Sequence, residues 1–324
     1  MRNYIDLHVH STASDGTYSP TEIAEKAFKE ADGNDVVLAL TDHDTTAGTH
    51  EIADCAQRLN LKAAAAGEDR RFTFIPGIEI STNYAVPGSE PKRFVEIHIL
   101  GYGLNPDDSD LNEKLLLCRK SRDIRNIKVI NALREKHGFD ITMDMIQARE
   151  PGATIARPHI ARALMNLGYV TSVSEAFEKY IGDDCDCYFE RQLPTPEEAI
   201  EMIHHAGGIA SLAHIIHYKK LNTEEKEVLV ASLSAHGLDC IETYHNINTA
   251  EDTLYVKSLA AKYHLLETGG TDFHGANKPH ISLFTGQEDL PMRVPEKILP
   301  PLLTHVKNIL VPKAQEPTQL KENA

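Results

Sequence analysis

Residues 4–16 read Tyr-Ile-Asp-Leu-His-Val-His-Ser-Thr-Ala-Ser-Asp-Gly, a short apolar run that carries His8 and His10 and is followed by Asp15. Residues two apart on a β-strand share a face, so this spacing aims two imidazoles at one place. Asp15 can return to that place through the turn that Gly16 permits. Two imidazoles and a carboxylate suit a divalent cation of intermediate hardness. A pair of partly buried, hydrogen-bonded histidines is the plainer reading of the same stretch.

Further strand-like runs end in the same residue types. Residues 36–40 run into Thr41-Asp42-His43-Asp44, 74–78 reach Glu79, and 94–100 carry Glu96 and His98 two apart. Residues 209–213 end at His214, and 269–274 carry Asp272 and His274, again two apart. A single histidine after an apolar strand is ordinarily structural. Repetition on many strands points to convergence, because the loops after the strands of a parallel barrel open at one mouth, where the chemistry sits.

The elements that position these residues begin with β-α-β-α. After the first strand, Ser19-Pro20-Thr21-Glu22 combines an N-cap serine, a proline at the first helical position and a glutamate to close the capping box. Its helix runs on through Ile23, Ala24, Ala27 and Phe28, and a second helix is predicted over about 46–60. Such an opening predicts a parallel sheet. A Gly/Pro-rich hairpin at 86–91 joins the Glu79 and His98 strands. From 109 to about 179 the pattern is helical: a long helix at 109–137 closed by Gly138, then 142–149, 158–167 and 172–181, the last opened by Ser172 and Glu175. The α/β alternation resumes at Thr195-Pro196-Glu197-Glu198. It continues with the His214 strand, a helix at 223–236, a strand at 238–243 leading to His245, a helix at 249–263 and the Asp272 strand. A helix at about 295–307 and residues 309–311 close the pattern, and 312–324 read as a disordered tail.

The chain has 324 residues, 41% hydrophobic and 25% charged, as in ordinary globular proteins. A formal net charge of −15 argues against broad binding to duplex DNA, though not against one small anionic substrate at a metal site. No apolar run approaches the ~20 residues of a membrane span, and residues 1–6 do not read as a signal peptide. The five cysteines are odd in number and lack zinc-finger spacing, which reads as reduced thiols in a cytoplasmic protein.

Taken in order, His8-x-His10, Asp15-Gly16, Thr41-Asp42-His43-Asp44, Gly77-Ile78-Glu79, Ala213-His214 and Asp272-Phe273-His274 resemble the motifs of the PHP (polymerase and histidinol phosphatase) phosphoesterases. The resemblance is greatest to the stand-alone branch of nucleoside 3′,5′-bisphosphate phosphatases and a related 5′-3′ exoribonuclease, and it spans about residues 3–311. It implies an α/β fold: a distorted (β/α)7-type PHP barrel made by 1–104 and 191–311, with 105–190 as a helical insertion forming a lid or wall. It also implies two to three divalent metal ions. His8, His10, Glu79 and Asp272 would hold the first. Glu79 would bridge to a second held by His98 and His214, and Asp15, His43 and His274 would hold the third. His8, His10, Asp15, Glu79 and Asp272 form the implied catalytic set, expected at a surface mouth. Imidazoles with carboxylates and no thiol favour Mn²⁺, with Fe²⁺ or Zn²⁺ as alternatives.

Arg157-Pro158-His159-Ile160-Ala161-Arg162 matches the family's Arg-x-His-x-x-Arg stretch and makes Arg157 and His159 the expected substrate contacts. His245 could reach substrate or supply a leaving-group proton. Arg162 reads as half of a surface ion pair. Arg119, Arg122 and Arg125 read as a solvated helix face; turned to the mouth instead, they would lengthen the phosphate site towards an RNA end. Asp44 reads as a helix cap, and Asp42 as either a cap or an acceptor for a ligand imidazole. Family members commonly carry Ala-His-Pro where this chain has Ala213-His214-Ile215, and the nearby His217 could compete for metal.

The expected reaction is phosphomonoester hydrolysis, in which an activated water attacks phosphorus in line. By resemblance, the substrate is a nucleoside 3′,5′-bisphosphate losing its 3′-phosphate. Alternatives are a 5′-3′ exoribonuclease acting on short RNA 5′ ends, a histidinol phosphatase, and a metal-free binding or structural module. The expected partner is a small phosphorylated molecule, a nucleotide or an RNA 5′ end, with no duplex DNA and no membrane. The sequence does not specify oligomeric state.

Overall fold

A computed structural model describes residues 3–146, 154–306 and 308. Seven strands form one sheet in chain order: β1 (Asn3–Val9), β2 (Asp35–Leu40), β3 (Phe72–Ala85), β4 (Phe94–Tyr102), β5 (Ile209–Leu212), β6 (Cys240–His245) and β7 (Leu266–Gly270). β4 runs antiparallel to β3 and β5; the other neighbouring pairs are parallel. Beyond β7, Phe273 bridges Val9, and its carbonyl accepts the His10 N–H at 2.9 Å. The sheet therefore nearly closes into the expected seven-stranded barrel.

The seam between β7 and β1 has two devices. A Cβ on Gly270 would lie 2.3 Å from the His8 backbone nitrogen, so only glycine lets the strands approach this closely. The fully buried Asp6 carboxylate accepts from Thr271 N–H at 2.8 Å, Thr271 Oγ1 at 2.7 Å and Phe284 N–H at 3.0 Å. Burial pushes this carboxyl up to about 6, and the hydrogen bonds from Thr271 and Phe284 oppose that rise.

Helices α1 (Pro20–Glu30) and α2 (Thr49–Ala65) follow β1 and β2. Further along come α3 (Ser109–His137), α4 (Arg157–Asn166), α5 (Pro196–His205), α6 (Thr223–Ala235), α7 (Ala250–Lys262) and α8 (Leu299–His305). Both Pro-initiated capping boxes form as read: Ser19 with Glu22, and Thr195 with Glu198. α3 ends at Gly138 in the left-handed region, at φ 67°. Helices pack on the barrel through Ile23, Ile52, Ile203 and Leu229, all fully buried. Residues of the 105–190 stretch gather a separate apolar cluster that includes Leu133, Ile141, Ile160, Leu164 and Ile181.

Some element boundaries differ from the sequence reading. α2 begins at Thr49, not near 46, because residues 41–48 form a buried loop with Asp44 at φ 54°. Over 172–181, one α-helical turn (Val173–Ala176) runs into a π-helical turn (Phe177–Ile181). A 3₁₀ turn (Met143–Met145) stands where a helix at 142–149 was expected, and the remainder of that span lies outside the described residues. Residue 307 of the expected last helix, the 309–311 segment and the 312–324 tail also lie outside them. No helix among the described residues is long and apolar enough to cross a membrane, and the five cysteines are free thiols.

Candidate active site

Glu79 is the centre of the site. It lies within β3, 1% exposed, and its two oxygens face different histidines. Oε2 is 3.3 Å from His8 Nε2, 3.1 Å from His10 Nε2 and 3.1 Å from His43 Nδ1. Oε1 is 2.7 Å from His98 Nδ1 and 3.0 Å from His214 Nε2. Asp272 Oδ1 lies 3.6 Å from His8 Nε2 and 3.5 Å from His10 Nε2. Asp15 Oδ1 is 3.2 Å from His274 Nε2, and Asp15 Oδ2 is 3.9 Å from His43 Nε2. All nine side chains read from the sequence as ligands therefore converge.

Their potential ligand atoms overlap in groups that could hold a metal: His8, His10 and Asp272; His8, Glu79 and His214; His43, Glu79 and His98; and His10, Asp15, His43 and His274. A divalent cation fits these groups on physical grounds. His8 Nε2, His10 Nε2, His43 Nδ1 and His214 Nδ1 are enclosed without a hydrogen-bond partner, an arrangement that costs free energy unless another ligand offsets it. Burial alone would push Glu79 up, but His43, His98 and His8 hold its carboxyl well below the usual range. His274 and His43 outweigh burial in the same way at Asp15. Burial and the neighbouring His274 press His10 down to about 3, whereas against burial Glu242 and Glu79 lift His8 well above the ordinary imidazole range and Glu79 lifts His98 to about 9. A bound cation needs anionic carboxylates and neutral imidazoles, so it would take the place of the protons that the carboxylates hold on His8 and His98.

The expectation of an open mouth needs correction. His8 and His10 are fully buried, while His43 and His98 retain 12% and 20% side-chain exposure. β1 is an interior strand, and its loop folds back over it: a Cβ on Gly16 would lie 2.2 Å from the His10 carbonyl oxygen. Asp44 and Asp272 at φ 54°, and His214 at φ 24°, hold left-handed backbone conformations that non-glycine residues seldom adopt. Ile215, in place of the family's proline, is fully buried and starts a 3₁₀ turn. His217 stands exposed beside it, its ring centroid 5.6 Å from that of His214.

Several supporting groups were missed or misread in the sequence. Glu242 on β6 is fully buried; its Oε1 accepts from His8 Nδ1 at 2.9 Å and its Oε2 from the His214 N–H at 2.8 Å. One carboxylate thus fixes the tautomer of His8, freeing Nε2, and holds the strained His214 loop. The sequence signal was an acid, Glu242, inside the strand that leads to His245. Asp42 accepts from Ser11 N–H, Ser11 Oγ and Ser14 Oγ, and the Ser14 hydroxyl lies 3.5 Å from His10 Nδ1. Asp44 is not a helix cap: it accepts from Ser81 N–H at 3.0 Å and Arg122 at 2.5 Å. Lys278, not singled out in the sequence, lies 2.5 Å from Asp272 Oδ2.

The arginine stripe is not a solvated face. Arg122 and Arg125 are 5% and 3% exposed because α3 lies against the His43 loop, where Asp44 accepts from Arg122 and its carbonyl from Arg119. Arg157 Nη1 donates to Asp183 Oδ1 at 2.7 Å, with the guanidinium over Phe177 and Tyr188. His159 Nδ1 accepts from the Ala156 N–H at 3.0 Å, so its proton sits on Nε2. Arg162 contacts Asn277 of the barrel. His245 is enclosed beneath the site, with Nε2 3.8 Å from Asp272 Oδ2.

No protein-family model matches the chain. It is 32% identical over 269 residues to the 5′-3′ exoribonuclease Rnm of Escherichia coli, which covers 83% of this chain and 84% of the relative. It is also 32% identical over 274 residues to the 3′,5′-nucleoside bisphosphate phosphatase of Chromobacterium violaceum, covering 83% and 87%. Among solved structures, an amidohydrolase from Chromobacterium violaceum with bound sulfate and no metal superposes with a TM-score of 0.77 at 28% identity, over 96% of this chain and 98% of that one. The seven-stranded barrel, the convergence on Glu79 and these relatives agree: the chain belongs to the PHP family of metal-dependent phosphoesterases, in the branch of 5′-3′ exoribonucleases and nucleoside 3′,5′-bisphosphate phosphatases.

Proposed function

We propose that the protein hydrolyses the 3′-phosphate of nucleoside 3′,5′-bisphosphates. The observation that carries this reading is the pairing, in one site, of a carboxylate–imidazole cluster around Glu79 with guanidiniums from the 105–190 insertion. The cluster suits the phosphate being cleaved, and the guanidiniums suit a phosphate that is kept.

His8, His10, Glu79 and Asp272 would hold one ion, Glu79, His98 and His214 a second, and Asp15, His43 and His274 a third, with Mn²⁺ ahead of Fe²⁺ or Zn²⁺. When bound, such ions supply positive charge for the phosphoryl oxygens and acidify a water. The chain's own residues do the rest. Glu242 presents His8 through Nε2, and Asp42 steadies the His10 loop through Ser11 and Ser14. Lys278 places a cation beside Asp272, and enclosure of His8 and His10 keeps bulk water off the reacting face. Arg157 and His159 are the proposed contacts to the kept phosphate, His159 donating through Nε2. His245 is proposed to act from beneath, through Asp272. The 105–190 segment would serve as the substrate wall, in a cytoplasmic enzyme.

A second reading is 5′-3′ exoribonuclease activity on short RNA, favoured by the 31% and 32% identity to relatives so named. The deciding experiment is phosphate release in defined divalent metals from nucleoside bisphosphates, histidinol phosphate and 5′-phosphorylated oligoribonucleotides, with chain shortening followed on the last. Preferred release from a nucleoside 3′,5′-bisphosphate is expected. Shortening of the oligoribonucleotides without bisphosphate turnover would replace the first reading by the second.

A further inference from the structure

The two oxygens of Asp272 have different neighbours. Oδ1 faces the imidazoles of the site, 3.3 Å from His274 Nδ1, 3.5 Å from His10 Nε2 and 3.6 Å from His8 Nε2. Oδ2 lies 2.5 Å from Lys278 Nζ and 3.8 Å from His245 Nε2. Among the described residues, the ion-pair neighbours of Glu79 and Asp15 are all imidazoles. Lys278 is therefore the one lysine or arginine, among those residues, paired with a carboxylate of the ligand set.

A stitched turn delivers this lysine. Residues Gly275–Asn277 form a 3₁₀ turn with Gly275 at φ 62°, and a Cβ there would lie 2.3 Å from Thr17 Oγ1. The Ala276 N–H donates to Thr17 Oγ1 at 2.8 Å, and the Lys278 N–H to the Gly275 carbonyl at 3.0 Å. The Asn277 side chain donates to the Asp15 carbonyl and meets Arg162 of α4. The turn is thus closed by contacts that do not involve the ammonium. The Lys278 side chain, 36% exposed against 9% for Asp272, lies on the solvent side of that carboxylate. A partly exposed ion pair adds little to stability, so the fold gives no reason for this one.

The pair has an electrostatic consequence. A carboxylate can bind a divalent ion through one oxygen or through both. With Nζ on Oδ2, Oδ1 alone is left for an ion among the imidazoles, and a second positive charge on the same carboxylate repels that ion. We propose that Lys278 is a positioning residue that confines Asp272 to one metal-facing oxygen and holds down the divalent affinity of the site, which keeps a coordination position for water or substrate. The role rests on Asp272 belonging to the metal set and is independent of which phosphoester is cleaved.

The test compares full-length wild type, Lys278→Met, Lys278→Arg, Asp272→Asn and the double variant of Lys278→Met with Asp272→Asn. Apparent Mn²⁺ affinity is measured on chelator-treated protein by competition with a fluorescent chelator. In parallel, kcat is measured at saturating Mn²⁺ on the best substrate of the phosphate-release screen. Lys278→Met should bind Mn²⁺ about tenfold more tightly, while kcat falls about ten- to a hundredfold. Lys278→Arg should stay near wild type in both. Tighter metal with slower turnover is a pairing that damage to the fold does not produce. The gain in affinity should largely disappear in the Asp272→Asn background. A Lys278→Met variant that binds Mn²⁺ no more tightly than wild type would overturn the role of Lys278, as would a gain of full size in the Asp272→Asn background. Tighter Mn²⁺ with unchanged kcat would overturn the confinement of Asp272 to one oxygen. Asp272→Asn with wild-type affinity would take Asp272 out of the metal set and the proposal with it. The affinity arm needs no substrate, so it stands or falls apart from the bisphosphatase reading.

Discussion

The two sides of the site have opposite deficits. The barrel side gathers Glu79, Asp15 and Asp272 with imidazole nitrogens that lack partners, and so is short of cations. The insertion side gathers Arg122, Arg125, Arg157 and Arg191 around too few acids, and so is short of an anion. Asp44 and Glu96 lie on the border and belong to both, each neighbouring a candidate ligand and pairing an arginine. Under the proposed function, a metal ion and a phosphate would complete the two halves. The comparison shows that neither half is explained as packing alone, since each encloses charge that the chain leaves unbalanced.

The sharpest way to break the comparison is to damage the cation-poor side. Asp272→Asn keeps shape and removes charge, and is expected to abolish phosphate release and lower the divalent metal content, with the circular dichroism spectrum retained. His10→Ala should also abolish release but with some loss of stability, because His10 is fully buried. Near-normal turnover in either variant would remove these residues from the metal set. A smaller effect is expected at Glu242. Gln can accept from His8 or from the His214 N–H but not both, so Glu242→Gln should weaken metal affinity about 10–100-fold in a metal titration. Unchanged metal affinity with a lowered melting point would make Glu242 a fold residue only.

The anion-poor side should respond least to Arg157→Ala, since Asp183 already offsets part of that charge. Losing a charge-assisted contact costs roughly 1.5–3 kcal/mol, and the lower end, about tenfold in kcat/KM for a nucleoside 3′,5′-bisphosphate, is expected here. A simple aryl phosphate, with no second phosphate, should lose much less. Equal losses would tie Arg157 to the reacting phosphate or to the fold.

Legibility in the sequence followed the same division. Strand period two reports side-chain direction directly, so His8, His10, Asp272 and His274 could be placed on one face from spacing, and the strand-end position of His43, Glu79 and His214 supplied the rest. The capping boxes at Ser19 and Thr195 were local and therefore readable. The burial of the α3 arginines was not. A three-residue spacing tells which residues share a helix face but not what that face meets, and the partner, Asp44, lies 78 residues earlier. Glu242 escaped for a related reason: its role depends on His8 at a separation of 234 residues, and one acid in a strand carries no signal of where it points.

The seam at Asp6 sets an order of assembly. Asp6 and Thr271 are 265 residues apart, so the strand bearing His8 and His10 is synthesised long before the residues that lock it in place. On the ribosome β1 can pair with β2 early, but its other edge stays unpaired until β7 has emerged. Closure then brings Asp272 to His8 and His10 in the same event that buries the Asp6 carboxylate. High sequence separation makes such a closing step slow. A nascent chain halted before residue 266 would therefore present half a metal site and an open sheet edge, a combination for chaperones rather than for catalysis.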